Sequence, residues 1–479
     1  MARAHMTFFR PEEIDKIHNA STRILEEIGI LVPSESVAKI LVDAGAIRSE
    51  DGRRLCLSET MVKEALTSAP KSIILAGRNE VRDIQIPSEK ELYVAPGGEA
   101  VQVKDLIEGT KRTPTLKDYL DVLTIVESLP QIDFFWGLVG ALEFTNRDMK
   151  GVTELSASFQ YTSKHIQGGS HSAEDAKRQI EMAAIVSGSE KELSRRPIIS
   201  CIQCPISPLQ FEKGYSEAQV ILARAGIPIV SMSASMAGLT SPVTISGTIA
   251  QINAENLASL VISQTARKGA PFIYSSDSVP ADLRGGHIDY GAIEAELMRT
   301  AAGQMGRHYR LPVMCAGMGI GQLSQLIGSL KEGMYYMIIE SMVPSDLASG
   351  LGSIDQAAGA SLEQLILDAW IWEIAKEMIR EFETSDDAIS IETVREALKD
   401  GFLTKKHTMT RYRNEFSITR HPEAIWRWDE KEVPRGFSLN KAHEELKRIL
   451  SKPKAKVVSE DVSKQLDSIV GRVRKNVSS

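Results

Sequence analysis

A repeated alternation of short apolar runs and long helical patterns constrains the fold of this chain most strongly. Between Pro197 and Asp355, four apolar runs are too short for buried helices and rich in Val and Ile, as in strands covered on both faces. These runs are Pro197–Cys201, Ile227–Met232, Ala270–Tyr274 and Leu311–Ala316. The segments between them carry apolar residues at three- and four-residue spacing, which is typical of amphipathic helices. These segments are Phe211–Gly226, Ile245–Gly269 and Tyr290–Arg310. Alternating strands and helices predict a parallel sheet.

The same alternation continues on both sides of this central part. Upstream, Ile132–Val139 and His165–Gly169 each precede a helical pattern, and downstream Asp346–Gly352 precedes the helical pattern of Leu362–Phe382. This gives seven strand–helix units, and Ala388–Ile391 is the candidate for the eighth strand. Eight parallel strands at this spacing predict a closed (β/α)8 TIM barrel of the α/β class, because closure leaves no sheet edge. An open doubly wound sheet is the alternative.

The residues that flank the alternating part predict additions to the barrel. Residues 1–130 mix helical patterns with short strand patterns, which indicates an N-terminal α+β extension. Residues 131–400 are assigned to the barrel, which we expect to be the catalytic domain. Residues 401–479 carry further helical patterns and are expected to form a C-terminal helical extension that packs on the barrel.

Charge and cysteine content exclude several classes of protein. The formal net charge is −7, from 56 Lys and Arg against 63 Asp and Glu, so a nucleic-acid surface is not indicated. Four cysteines in 479 residues do not make a disulfide framework, which favours a reducing compartment. No stretch approaches the ~18 apolar residues of a membrane span. We therefore expect a soluble, cytoplasmic protein with no membrane or nucleic-acid partner.

Candidate site residues follow from the barrel prediction, because the active site of a TIM barrel lies in the loops after its strands. Polar and aromatic side chains stand at those positions, although such residues can also merely satisfy loop backbone groups. The substrate-binding candidates are Trp136, Gln203, Tyr274, Asp277, Arg284, His287 and Tyr290. The catalytic candidates are Asp282, Glu255 and Gln322. The alternative for Asp282 and Arg284 is an ion pair that only braces their loop.

Two short motifs have the spacing of known functional sites, but the sequence around them favours other interpretations. Cys201 and Cys204 form a CxxC pair, but no second ligand pair at zinc-site spacing is present, and we predict no metal site. The glycine pattern from Gly317 to Gly321 resembles a nucleotide-binding loop, with Glu340 where a ribose-binding acid would stand. Glu340 falls inside a helical pattern, so a loop of small residues beside a pocket is the better interpretation.

Several longer stretches together resemble the trimethylamine methyltransferase family. They are Pro96-Gly97-Gly98, Asp118-Tyr119-Leu120, Ser241-Pro242-Val243-Thr244 and Ala254-Glu255. The likeness runs from about Ile14 to the C-terminal helix. It implies a barrel that moves a methyl group from an N-methylated amine to the Co(I) corrinoid (cobalamin) of a separate protein. The family's founding members carry pyrrolysine in the loop after the sixth strand, where this chain has ordinary residues around Gln322, as in the branch that acts on quaternary amines.

The resemblance implies a methyltransferase for a quaternary amine such as glycine betaine, with a cognate corrinoid protein as partner and no tightly bound cofactor. We also expect a homo-oligomer. Aromatic rings attract quaternary ammonium groups, so Trp136, Tyr274 and Tyr290 are the candidates for a cage. Asp277 or Glu255 would supply a carboxylate, and Arg284 or His287 would bind the carboxylate of a betaine. The alternatives are a barrel that binds quaternary amines as a sensor, and a lyase or hydrolase on the same fold.

Overall fold

Eight parallel strands form the centre of the computed structural model, which describes residues 6–88, 92–319, 335–343, 345–416 and 439–478. The strands are β1 (Tyr93–Pro96), β2 (Phe134–Trp136), β3 (His165–Gly169), β4 (Ile199–Gln203), β5 (Ile229–Ser233), β6 (Phe272–Ser276), β7 (Val313–Ala316) and β8 (Leu347–Leu351). They are hydrogen-bonded in the order β1-β8-β7-β6-β5-β4-β3-β2. At the two ends of this order, the amide of Asp133 donates to the carbonyl of Val94 at 2.8 Å, so the sheet is nearly closed. The predicted (β/α)8 barrel is confirmed.

Helices follow the strands and cover the outside of the sheet. They are α1 (Leu116–Ser128), α2 (Arg147–Tyr161), α3 (Ala173–Ser187), α4 (Lys213–Ala225), α5 (Ile245–Ala266), α6 (Ile293–His308), α7 (residues 335–342) and α8 (Leu362–Ala375). Several begin at a side-chain cap: the hydroxyl of Thr244 accepts from the amide of Gly247 at the start of α5. The helix α4 ends at a glycine cap, because Gly226 has a φ of 81°.

The alternation of side chains along each strand separates two apolar layers. Ile202, Val230, Ile273 and Met314 point into the barrel and form its inner core. Their neighbours along the strands, including Phe272, point outward into the core shared with the helices. This alternation decides which of the predicted site residues can reach the barrel interior.

Different additions cover the two ends of the barrel. An antiparallel hairpin, Ile73–Leu75 with Ile84–Ile86, packs its buried side chains into the inner core, and the amide of Ala76 donates to the carbonyl of Pro197 just before β4. Two small sheets stand at the opposite, carboxyl-terminal end. Their strands are Gln102–Lys104, Lys111–Arg112, Ser353–Ile354 and Gly359–Ala360 in one, and Met236–Ala237, Val279–Asp282 and His287–Ile288 in the other. The loops that follow the barrel strands, where the sequence places the candidate site residues, meet at this carboxyl-terminal end.

Most of the remaining elements belong to the flanking parts of the chain. In the N-terminal part they are the helices Pro11–Arg23, Ile24–Ile28, Glu35–Asp43, Glu59–Ser68 and Glu80–Arg82 and the strands Ile47–Arg48 and Leu55–Cys56. Further helices are Glu190–Arg195, Lys376–Met378, Asp386–Ile389, Ile391–Asp400, Lys406–Glu415, Leu439–Leu450 and Glu460–Ser478. The last of these packs on α2, where Ser463 donates to Gln160 at 2.7 Å. Across the described chain, every helix is too short or too polar to cross a bilayer.

The structure corrects the position of one strand. The predicted eighth strand at Ala388–Ile391 is wrong, because Asp386–Ile389 is a short helix. The strand that completes the sheet is instead β1, which lies within the residues predicted to form the N-terminal extension. The predicted boundary at residue 131 therefore cuts through the barrel sheet. The apolar residues at 388–391 suggested a strand, but Ile389 and Ile391 are exposed.

Candidate functional site

A small cavity opens where loops from five strands meet at the carboxyl-terminal end of the barrel. Its volume is about 50 Å³. It is lined by Gly97, Gly98, Trp136, Asp277, Tyr290, Arg299, Ala316, Gly317, Gly319, Ser349, Gly350, Ser353 and Ala357. These residues lie at the carboxyl-terminal ends of β1, β2, β6, β7 and β8 or in the segments that follow them, as the position of active sites in TIM barrels predicts. Glycine, alanine and serine make up most of the lining, so the larger side chains determine its chemistry.

Two aromatic side chains face this cavity. Trp136 is the last residue of β2, and its ring lies against Gly97, where a Cβ atom would come within 2.3 Å of the indole Cε3. Gly97 has a φ of 154°, so a side chain there would be both strained and obstructed. Tyr290 lies in the loop before α6, and its amide donates to the side chain of Gln356 at 2.6 Å. Because position 97 carries no side chain, the indole ring of Trp136 has space beside the cavity.

Asp277 is the carboxylate of the cavity. It lies beyond the end of β6, its amide donates to the carbonyl of Ser233 at 2.9 Å, and its side chain is 24% exposed. The hydroxyl of Tyr290 donates to Asp277 Oδ2 at 3.3 Å. Burial raises the pKa of Asp277 to about 6, while Arg299 and this hydroxyl act in the opposite direction. Asp277 is therefore mostly ionised at neutral pH.

A buried cluster of charged groups lies beside Asp277. Arg299 on α6 donates from Nη2 to Glu296 at 2.7 Å, and its Nη1 lies 3.8 Å from Asp277 Oδ1. Although burial acts against the charge, the carboxylates of Glu296 and Asp277 raise the pKa of Arg299. Gly317, with a φ of 144°, passes over the guanidinium, and a Cβ there would lie 2.4 Å from Cζ. The cluster thus fixes the guanidinium of Arg299 at the cavity wall.

Glu340 on α7 completes this cluster. It is fully buried, and within the described residues neither of its carboxyl oxygens has a hydrogen-bond partner. Burial, with a further contribution from Glu296, raises the pKa of Glu340 well above its usual range. Arg299 pairs with Glu296, and Asp277 remains as the negative charge that faces the cavity. The cavity lining thus holds one carboxylate, Asp277, beside one guanidinium, Arg299.

Two of the predicted substrate-binding residues, Tyr274 and Gln203, point away from the barrel interior and do not line the cavity. Tyr274 points outward from β6 into the layer between sheet and helices, where its hydroxyl donates to Asn253 at 3.1 Å. Gln203 also points away from the barrel interior, and its Nε2 donates to the carbonyl of Ser170 at 3.3 Å. The prediction that Tyr274 belongs to an aromatic cage is corrected, because a strand turns alternate side chains to opposite faces.

Glu255 is buried in a hydrogen-bond network away from the cavity lining. Its carboxylate accepts from Ser233 at 2.5 Å, from Ser207 at 2.9 Å and from the amide of Leu209 at 3.0 Å. Burial raises the pKa of Glu255, and these donors oppose the shift. This arrangement fastens the loop after β4 to the end of β5. The geometry gives Glu255 a positioning role.

The predicted Asp282, Arg284 and His287 share one hairpin on the rim. Arg284 Nε lies 3.7 Å from Asp282, and the side chain of Arg284 is 97% exposed. His287 Nε2 lies 3.9 Å from the same carboxylate. The amide of Arg284 lowers the pKa of Asp282. None of the three lines the cavity, although Tyr290 follows them closely in sequence. The predicted Gln322 lies outside the described residues.

Sequence reasoning missed the role of Arg299 and Glu296. Their spacing of three residues on a predicted helix was a possible signal, because neighbours at this spacing share one helix face. They stand among small and apolar residues on α6, where a solvated ion pair is not expected. Within the described residues, no group of three or more His, Cys, Asp or Glu side chains is arranged to hold a metal ion.

The fold and the site define a (β/α)8 barrel protein with a small cavity, lined by aromatic and charged side chains, at its carboxyl-terminal end. The model of the trimethylamine methyltransferase (MTTB) family matches residues 2–478, so the chain belongs to this family. The family is one of methylamine and betaine methyltransferases, and the chain is accordingly an enzyme of the methyltransferase class.

Named relatives of this chain act on different amines. The trimethylamine methyltransferase MttB of Desulfitobacterium hafniense is 26% identical over 408 residues, covering 85% of this chain and 82% of the relative. A glycine betaine methyltransferase of the same species is 26% identical over 408 residues, covering 85% and 84%. The crystal structure of the Methanosarcina barkeri monomethylamine methyltransferase superposes with a TM-score of 0.57 at 10% identity, covering 98% of this chain and 88% of that one. This structural likeness supports the fold alone.

Proposed function

We propose that this enzyme transfers a methyl group from a quaternary amine, of the glycine betaine type, to the corrinoid of a partner protein. The supporting observation is the combination of Trp136, Tyr290 and Asp277 around one small cavity. A quaternary ammonium group is attracted to aromatic faces by about 0.5–2 kcal/mol per contact, depending on desolvation. The nearby carboxylate of Asp277 adds Coulomb attraction to the positively charged ammonium group.

The size of the cavity fits the methylated end of such a substrate. Its volume of about 50 Å³ exceeds the ~10–15 Å³ that a single water requires. A trimethylammonium group matches a small cavity of this kind better than a nucleotide or a sugar does. The rest of a longer amine would extend toward the rim, where Arg284 and His287 are the candidates to bind a carboxylate.

The lining side chains bind and orient rather than react. Within the described residues the lining contains no Cys, His or Lys. Tyr290 keeps its proton, because the Asp277 carboxylate and burial raise the pKa of its hydroxyl. The carbon–nitrogen bond breaks with its electron pair left on nitrogen, so a quaternary amine leaves as a neutral tertiary amine without proton transfer. Orientation alone can supply ~7–11 kcal/mol of the barrier reduction.

The methyl acceptor has to reach the cavity from outside the protein. The Co(I) corrinoid of the partner supplies the nucleophile that takes the methyl group. Asp277 remains 24% exposed at the carboxyl-terminal end, so the cavity is accessible from that side. Within the described residues, glycines at positions 97, 98, 317 and 350 place no side chain on the lining, which suits the approach of a large flat group.

A methyl-transfer assay tests the proposed function. The protein is incubated with chemically reduced cob(I)alamin and, separately, glycine betaine, carnitine, proline betaine or trimethylamine. We expect one quaternary amine to yield its demethylated tertiary amine by mass spectrometry, with little product from trimethylamine. The variant Asp277→Asn is the matched control and should lose most of this activity. Demethylation of trimethylamine alone, or of none of the four, would refute the assignment.

A further inference from the structure

A second and larger cavity lies between the sheet and the outer helices, beside the end of β3. Its volume is about 280 Å³, close to the ~300 Å³ at which small-molecule sites begin. Strands β3 and β4 and helices α1, α2, α3 and α4 contribute to its wall. Among the described residues, it shares none of its lining with the cavity at the barrel mouth. A ligand in one cavity therefore does not occupy the other.

Glycines create this second cavity. Gly168 lies two residues after Ile166 in β3, so it faces the outer helices as Ile166 does. A Cβ atom at Gly168 would have no heavy atom within 4 Å. Gly151 lines the cavity from α2, where a larger side chain would fill part of the space. The open space thus follows from the residues at these two positions.

The face of α2 that lines this cavity is polar, although the inner face of an outer helix is usually apolar. Arg147, Lys150, Glu154 and Ser158 follow one another at three- or four-residue spacing and share that face. The side chain of Lys150 is only 20% exposed and that of Glu154 only 12%. Because charged groups are costly to bury, a face of this kind is a candidate ligand site.

At the inner end of this face, two carboxylates share one ammonium group. Lys150 Nζ lies 3.1 Å from Glu99 Oε2 and 3.7 Å from Glu154 Oε1. Burial raises the pKa of Glu154 to about 7, against the effect of Lys150. When Glu154 is ionised, the two carboxylates carry one negative charge more than Lys150 neutralises. A cationic group of a ligand can supply the missing positive charge.

At the outer end of the same face, Arg147 is a guanidinium without a counter-charge. Within the described residues it forms no hydrogen bond or ion pair. The charges next to it are already paired. His171 Nδ1 lies 3.4 Å from Asp175, which raises the pKa of His171, and Arg178 Nη1 lies 3.0 Å from Asp148. Arg147 is therefore free to bind an anionic group of a ligand.

We propose that this second cavity binds a small ω-amino acid, with its ammonium beside Glu154 and its carboxylate at Arg147. These two residues are seven positions apart on α2, about 10.5 Å along the helix axis. After a contact of about 3 Å at each end, a gap of several ångströms remains, which is longer than the spacing of the charges in an α-amino acid. Glu99 and the hydroxyl of Tyr215, which has no partner in the described chain, stand beside the two contacts.

The chemistry of the inner end favours a protonated amine over a quaternary one. Carboxylate oxygens accept hydrogen bonds, and an ammonium group with N–H donors makes such bonds whereas a quaternary nitrogen does not. The proposal is thus independent of the quaternary amine assigned to the cavity at the barrel mouth.

Calorimetric titration of the full chain with δ-aminovalerate tests the ligand class. Pentylamine and pentanoate each carry only one of the two charges and should bind roughly tenfold more weakly than δ-aminovalerate. Arg147→Gln and Glu154→Gln should each weaken δ-aminovalerate binding roughly tenfold, because one charged contact is lost. Arg147 is exposed, and the glutamine at position 154 keeps an acceptor for the amide of Ala141, so both variants should fold.

The substitution Gly168→Leu tests the location. Its side chain enters open space, so the variant should fold, fill the cavity and abolish δ-aminovalerate binding. Gly471→Leu, at another glycine whose Cβ would meet nothing within 4 Å, is the matched control and should bind normally. Tetramethylammonium binding should be unchanged in each of these variants, which separates this site from the one at the barrel mouth. A wild type that does not bind δ-aminovalerate, equally tight binding of pentylamine, or normal binding by Gly168→Leu would overturn the proposal.

Discussion

At the scale of single residues, Asp277 connects the buried charge cluster to the cavity. Arg299 is held by Glu296 on one side, and its Nη1 lies 3.8 Å from Asp277 on the other. This arrangement keeps the Asp277 carboxylate charged at neutral pH although it is mostly buried. The aromatic rings of Trp136 and Tyr290 complete a surface that suits a permanent cation. Binding strength therefore depends on a few identifiable side chains.

Paired substitutions at Trp136 and Tyr274 test which aromatic residues bind the substrate. Trp136→Leu should raise the dissociation constant of tetramethylammonium about tenfold, because a cation–π contact is lost. Tyr274→Phe should leave that constant unchanged and lower the free energy of unfolding by about 1–2 kcal/mol, because the buried Asn253 Oδ1 loses its donor. Calorimetric titration and urea unfolding measure the two effects. If Tyr274→Phe bound tetramethylammonium more weakly while Trp136→Leu bound it normally, the roles assigned to the two residues would be reversed.

The site was predictable only in part at this scale. Trp136, Asp277 and Tyr290 follow predicted strands and do line the cavity. The alternation within β6 separates Tyr274 from Asp277, because residues an odd number apart in a strand face opposite sides. If this rule had been applied strictly to the sequence, Asp277 would have stayed among the substrate-binding candidates and Tyr274 would have been removed. Arg299 and Glu340 lie on two separate helices, so their meeting depends on the closed fold.

At the scale of elements, helix α8 holds the loop that follows β8 against the cavity. The amide of Gly352 donates to Asp368 Oδ2 at 2.7 Å, and Gln364 donates to Oδ1 at 2.7 Å. Burial raises the pKa of Asp368 to about 7, against the effect of these two donors. Ser353, the next residue along the loop, lines the cavity. One buried carboxyl thus links the outer helix layer to the site.

The substitution Asp368→Asn should stabilise the protein at alkaline pH. The folded pKa of Asp368 is raised, so its stabilising contribution is complete below the unfolded pKa of 3.8 and is lost as pH rises through about 7. At about pH 8 the variant should be more stable by roughly 2–4 kcal/mol, and at about pH 4 the difference should largely vanish. Gln364 can turn its free Oε1 toward the new amide. Thermal unfolding of the wild type and the variant at both pH values measures this difference in stability. Equal unfolding midpoints of the two proteins at about pH 8 would contradict the account.

The elements themselves were mostly predictable, with one exception. The repeated runs of Val and Ile mark the central strands, and their predicted limits lie within about two residues of the observed ones, as expected for element boundaries. The strand β1 was not recognised as part of the barrel, because Tyr93–Pro96 is short, ends in proline and lies among other short strands. Its pairing with β8 joins distant parts of the chain, and no local pattern encodes such a pairing.

At the scale of the whole molecule, the flanking parts of the chain complete the barrel rather than simply surround it. The N-terminal part supplies one strand of the sheet and a hairpin that closes the amino-terminal end. The C-terminal helix Glu460–Ser478 packs on α2, whereas the helix Ile391–Asp400 buries only Ala397 among the described residues.

Titration of tetramethylammonium into the wild type and Asp277→Asn at two pH values tests the central claim most directly. Because the ligand does not titrate and the pKa of Asp277 is about 6, wild-type affinity should fall roughly tenfold between about pH 8 and about pH 5, as the carboxylate becomes protonated. Asp277→Asn should bind more weakly at about pH 8 and show little dependence on pH. Wild-type affinity that does not change with pH, or equal affinity in the two proteins at about pH 8, would contradict a cation site built on Asp277.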